Sequence, residues 1–103
     1  MDFSYESLNL FLNEYSYRYV RFAINYIGDK AAAEDFVMES VMTFWSHRQS
    51  LPDDTNVPAY VLTVLKNKCI DYLRHINVVE KYGQQRRDLQ QWSLKNRISS
   101  HEA

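Results

Sequence analysis

Residues that break or turn a backbone are scarce in this chain. Two glycines and two prolines in 103 residues leave little material for turns and argue for a few long helices. The glycines, Gly28 and Gly83, stand far apart, which excludes a glycine-rich phosphate loop. A single cysteine, Cys69, excludes an internal disulfide and fits a reducing compartment. Neither sign of charge dominates: 12 Lys and Arg against 13 Asp and Glu give a formal net charge of -1. A domain that binds DNA unaided usually has a strongly basic balance. Any DNA bound by this chain therefore needs another component to supply much of the phosphate affinity. No apolar run approaches the ~20 residues that cross a bilayer, and Met1 to Glu6 lack the basic-then-apolar order of a signal peptide. A cytoplasmic protein without membrane insertion is expected.

What is abundant is bulk. Eight Tyr, five Phe and two Trp, within a hydrophobic content of 46%, are enough for a compact core in one domain. Leu8, Phe11, Leu12, Tyr15, Tyr19, Phe22, Ala23, Tyr26 and Ile27 recur at three and four residues, which predicts a first helix over 5–27. Gly28 suits its C-terminal stop and Asp29 the N-cap of a second helix over 30–47. In that helix Ala33, Phe36, Val37, Val41 and Phe44 form the apolar stripe. Asp35, Glu39 and the pair Met38 and Met42 lie off it. Carboxylates beside soft thioethers suit docking onto another helix, and a merely solvated acidic face is the alternative.

Residues 49–56 are polar, with one proline and the adjacent acids Asp53 and Asp54, and read as a loop. Asn56 is a candidate N-cap for a third helix, with Pro58 tolerated in its first turn. Val61, Leu62, Leu65, Cys69, Tyr72, Leu73 and Ile76 form its apolar stripe. Thr63, Asn67, Asp71 and Arg74 lie at helical spacing on another face, with Lys66 beside them. Asn and Arg are side chains that read base edges and grip phosphates; a solvated face with an Asp71–Arg74 pair is the alternative. After Ile76 the sequence suggests a weaker, more exposed helix anchored by Val79, Tyr82, Leu89 and Trp92, with Gly83 a candidate point of interruption and a frayed end over 97–103.

No catalytic or metal-binding constellation is found. His47, His75 and His101 are far apart, and Cys69 falls in an apolar stripe as a buried thiol. No base and nucleophile stand at credible spacing, so an enzyme is not expected and neither is a cofactor.

The run Ala33-Glu34-Asp35-Phe36-Val37, then Glu39, Phe44-Trp45, the loop, Ala59-Tyr60, Lys66-Asn67, Asp71 and Leu73-Arg74 resembles the second conserved region of bacterial RNA polymerase sigma factors. Within that family it looks most like the extracytoplasmic-function type, and its Tyr72-Leu73-Arg74-His75 and Gln-rich tail are similar to members from the Bacteroidetes. The resemblance implies an all-α fold, a compact bundle of three main helices with an additional C-terminal linker helix. It implies a sigma region 2 domain over 1–76 and a partly helical interdomain linker over 77–103. By it, Asp35, Met38, Glu39, Met42, Trp45 and Arg48 would contact the clamp helices of the largest core polymerase subunit. The loop over 49–56 would correspond to the element that captures an unstacked minus-ten base. Asn56, Lys66, Asn67, Asp71 and Arg74 would contact promoter DNA, those of the third helix along the non-template strand, with Asp71 orienting Arg74 or Asn67 as the alternative to its meeting phosphate.

The resemblance also explains the neutral charge, since core polymerase supplies the remaining DNA-binding surface. Met38 stands where the family commonly has glutamine, which removes one polar contact. The sequence contains no counterpart of the helix-turn-helix that reads the minus-thirty-five element, so contact with the minus-ten region alone is expected. The competing expectation is a helical protein-interaction module, held by an anti-sigma-type partner and touching no DNA.

Overall fold

In the computed structural model the backbone is described for residues 1–96 and the side chains for residues 1–77. Three α-helices follow in order: α1 (Tyr5–Ile27), α2 (Lys30–His47) and α3 (Val57–Asn96), with one 3-10 turn, Arg48–Ser50, after α2. No strand occurs among the described residues, and the fold is all-α as expected. The chain comprises two units, Met1–Ile70 and Asp71–Ala103.

The helix ends are set by local chemistry. The Ser4 hydroxyl accepts the Ser7 N–H at 3.1 Å and starts α1. Gly28 ends it at φ 73°, a left-handed conformation that glycine adopts without a Cβ clash, and its N–H donates to the Ile24 carbonyl at 2.7 Å. The Asp29 carboxylate then accepts the Ala32 N–H at 3.1 Å, so α2 begins almost at once. The Asn56 side-chain oxygen accepts the Ala59 N–H at 3.0 Å and caps α3. Pro58 falls in that first turn, where a missing N–H costs nothing.

The first unit packs Phe11, Tyr19 and Ala23 of α1 against Ala33, Val37, Val41 and Phe44 of α2 and Val57, Val61, Leu65 and Cys69 of α3. These are the expected stripes with three adjustments. Phe36 is only half-buried. Leu62 lies at the surface, because it stands 100° around α3 from the fully buried Val61 and the two cannot share one direction. Ser40 is buried, and its hydroxyl donates to the Phe36 carbonyl at 2.6 Å, which removes the cost of placing a polar group there.

Phe44 is fully buried at the meeting point of this unit. Phe3, from the segment before α1, meets it edge-on with ring centroids 5.1 Å apart. Tyr60, from the first turn of α3, meets it at 5.9 Å, again edge-on. Edge-to-face contact sets the positive rim of one ring against the negative face of another.

In the second unit Tyr72 and Ile76 are half-buried, whereas Leu73, expected in the apolar stripe, is exposed. The candidate interruption at Gly83 does not occur. The backbone runs helically through it to Asn96, because one mid-helix glycine costs only about 1 kcal/mol and its neighbours Lys81, Gln84, Gln85 and Arg86 are good helix formers. The anchor side chains Val79, Tyr82, Leu89 and Trp92, and the end over 97–103, lie outside the described residues.

Replacing Phe44 with alanine is expected to cost about 3–5 kcal/mol in urea titration with little change in slope. A loss under about 1 kcal/mol would show that the three segments do not depend on this ring.

Candidate functional site

Burying Ala33, Val37, Val41 and Phe44 turns the opposite side of α2 outward. Asp35, Met38, Glu39 and Met42 are all exposed there, Met38 by 58% and Met42 by 53%. Two exposed thioethers flanked by carboxylates form an adaptable surface of negative sign. Glu39 also pairs with Lys68 of α3 at 3.2 Å, which orients the carboxylate and couples it to the neighbouring helix. Both partners are partly solvated, so the pair contributes little to stability.

Trp45 and Arg48 differ from the other four candidates, for they are half-buried and engaged with each other. The Arg48 guanidinium lies 3.6 Å from the Trp45 ring centroid, and its Nη1 donates to the Trp45 carbonyl at 2.6 Å. A cation at the carboxyl end of α2 also complements the helix dipole. Stacking leaves Arg48 Nε buried without an acceptor. The Tyr5 ring approaches the indole with centroids 4.9 Å apart. Trp45 is thus held in place at the end of the α2 face.

The loop after the 3-10 turn is tied locally. The Thr55 N–H and hydroxyl both donate to the Pro52 carbonyl, at 3.1 Å and 2.6 Å. The Met1 ammonium donates to the Leu51 carbonyl at 2.7 Å and lies 3.7 Å from the Asp53 carboxylate. Asp53 and Asp54 are exposed turn acids. Where the loop meets α3, a groove of about 410 Å³ opens against α1. Tyr15, Tyr19 and Phe22 give it aromatic walls, Leu62 an apolar one, and Arg18 and Asn56 supply polar groups. Arg18 sits over the Tyr15 ring at 5.3 Å, and Tyr15 stacks on Tyr19 with centroids 5.6 Å apart. Asn56 uses its side-chain oxygen as the cap, which leaves the amide NH2 as the group able to meet a base or a phosphate.

Tyr19, one of the groove's aromatic walls, is itself buried. Its hydroxyl donates to the Pro58 carbonyl at 2.7 Å. Burial, reinforced by neighbouring Tyr15 and opposed by Arg18, pushes its pKa up to about 12 from an ordinary value of 10.0.

Lys66 and Asn67 are exposed on α3 in the first unit. In the second unit Asp71 and Arg74 are exposed and lie 3.8 Å apart, so the carboxylate stands where it can orient the guanidinium. Cys69 is buried and burial pushes its thiol up, which suits an inert core position. Among the described residues no group of three or more His, Cys, Asp or Glu is placed to hold a metal ion. Among them, too, no helix is long and apolar enough to cross a membrane.

Sequence reading alone did not find Lys68 as the partner of Glu39, nor the α1 residues of the groove. Both arise from contacts between distant segments, for which periodicity carries no signal.

With this geometry in place, comparison with known families is specific. Residues 11–77 match the Sigma-70 region 2 family. The match covers more than half of the chain, and the chain belongs to that family. The family is one of transcription initiation factors that bind RNA polymerase and recognise promoters; it is not an enzyme family. Comparison with curated proteins and with solved structures yields no match.

The raised Tyr19 pKa has a consequence for stability. The unfolded chain loses this proton near pH 10, whereas the folded chain keeps it until about pH 12. Its contribution is therefore complete below pH 10 and declines from there to about pH 12. Urea titrations over this window should show a fall in stability that is shallower in Tyr19→Phe. Equal slopes in both proteins would contradict the burial of this hydroxyl.

Proposed function

We propose that this chain is the region 2 module of an extracytoplasmic-function sigma factor of the Bacteroidetes type. On this reading it is a cytoplasmic adaptor that docks on core RNA polymerase and reads the promoter minus-ten element. Residues 1–76 are the working domain and residues 77–103 the linker. The observation that carries the reading is the α2 face, where Asp35, Met38, Glu39 and Met42 stand exposed on a helix whose other side is core. These four, with Trp45 held at their end by Arg48, are the surface for the clamp helices of the largest core subunit. An anti-sigma partner would act by covering the same face.

DNA is assigned to a different set of residues. The aromatic groove beside Asn56 has the composition to receive one unstacked base, with stacking on Tyr15 or Phe22 offsetting part of the few kcal/mol of unstacking. Lys66, Asn67 and Arg74 then serve the non-template strand, and Asp71 positions Arg74. Melting on this scheme is driven by binding energy alone. Near-neutral net charge is consistent with it, because core polymerase brings the remaining cationic surface.

The test is binding of a fluorescent minus-ten non-template oligonucleotide by the complex of this chain with core polymerase. Asn67→Ala combined with Arg74→Ala should weaken oligonucleotide binding by about tenfold or more, while affinity for core polymerase stays unchanged. Undiminished oligonucleotide affinity would show that the DNA face is wrongly assigned.

A further inference from the structure

The aromatic groove at the start of α3 carries a charge pattern that base capture alone leaves unexplained. Its lining residues include one cation, Arg18, and no carboxylate. The free part of the Asn56 side chain is a donor as well, since its oxygen holds the cap. The first turn of α3 lies in the same wall, and the positive end of its dipole adds to the same sign. The first unit holds three arginines, and two are engaged. Arg21 donates to the Tyr17 hydroxyl at 3.0 Å, and Arg48 stacks on Trp45. Arg18 is exposed, lies over the Tyr15 ring at 5.3 Å and makes no ion pair among the described residues, although Glu14 stands one turn before it. That contact is close to the ~6 Å limit of cation–π attraction, so a change of rotamer is enough to turn the guanidinium onto a ligand.

We propose that the groove takes a whole nucleotide of single-stranded DNA, the base against Tyr15 or Phe22 and the adjoining phosphate on Arg18. This rests on the assignment of an unstacked base to the groove, and adds Arg18 as the residue that holds the strand there. The chemistry selects that occupant. A nucleobase offers a planar face to the rings, and its phosphate offers oxygens that match the fork of a guanidinium. An apolar peptide would leave Arg18 facing no anion, and a basic one would meet like charge. An acidic protein segment is the rival occupant, and it leaves DNA affinity indifferent to Arg18. The volume of about 410 Å³ falls within the ~300–1,000 Å³ of small-ligand sites. A phosphate contact carries no sequence information, so Arg18 sets the register of the strand and its affinity, not the base preferred.

The test titrates a fluorescent minus-ten non-template oligonucleotide against the complex of the whole chain with core polymerase, from about 0.1 to about 0.4 M salt. Each phosphate held on a single strand contributes about 0.7 to the slope of log K against log salt. Arg18→Gln should therefore flatten the slope by about 0.7, weakening binding about fivefold at ~0.1 M and about twofold at ~0.4 M. Arg18→Lys should keep the wild-type slope. A neutral methylphosphonate, placed at each linkage in turn, should at one position weaken the wild type by the same factor and leave Arg18→Gln unaffected. Tyr15→Leu or Phe22→Leu, each checked for folding by circular dichroism, should weaken binding without changing the slope. Arg18 is exposed, so its variants should keep the wild-type circular dichroism and affinity for core polymerase. An unchanged slope in Arg18→Gln overturns the proposal whatever the affinity does, and so does the absence of one responsive linkage. Either result alone leaves the base reading standing. If neither ring variant weakens binding, the base reading itself fails and the Arg18 assignment falls with it.

Discussion

Burial of Phe44 is the constraint on which the rest of the first unit depends. Its ring stands near the end of α2, where Phe3 and Tyr60 converge on it from opposite directions in sequence. Fixing this point does three things together. It sets the rotation of α2, so that Met38, Glu39 and Met42 can face only outward. It holds the segment before α1 close to the loop, where the chain start meets the Leu51 carbonyl. It also places the first turn of α3, and with it Asn56 and the mouth of the aromatic groove. The outward α2 face and the aromatic groove beside Asn56 thus both follow from one packing event within the first unit.

The polar contacts refine that arrangement and contribute little to holding it. The Glu39–Lys68 pair is partly solvated, and exposed pairs contribute about 0–1 kcal/mol. Its interest lies in geometry, since it fixes a carboxylate on the very surface proposed to dock. The Arg48–Trp45 stack acts in the same way at the end of α2, using up a cation and an indole that sequence alone would leave free. Tyr19 is the deeper case: its hydroxyl ties α1 to the Pro58 carbonyl at a partly buried point, and the residue lines the groove.

Much of this was legible in the sequence because helix signals are local. Gly28 and Asp29 announced the end of α1 and the start of α2, and Asn56 with Pro58 announced α3. The apolar stripe of α2 predicted its buried face, Phe36 apart. Errors arose where one periodic run held more apolar residues than one face can bury, as at Leu62 and Leu73. At Gly83 the reason is different: its weak propensity made it a candidate interruption, and good helix formers on both sides outweighed it. Residues that act across the fold, Lys68 toward Glu39 and Tyr15 toward Asn56, left no pattern in the chain. The order of motifs from Ala33 to Arg74 identified the family, and that order says which faces to inspect without saying how the side chains meet.

Membership of the Sigma-70 region 2 family and the outward row on α2 together make polymerase docking the central claim. The most direct measurement is the affinity of this chain for purified bacterial core RNA polymerase, beside that of Glu39→Arg. Glu39 is exposed, so the variant should fold as the wild type does. Micromolar or tighter binding is expected for the wild type, weakened by about tenfold or more in the variant. Equal affinity of the two proteins, or no binding by a folded wild-type chain, would contradict docking through α2.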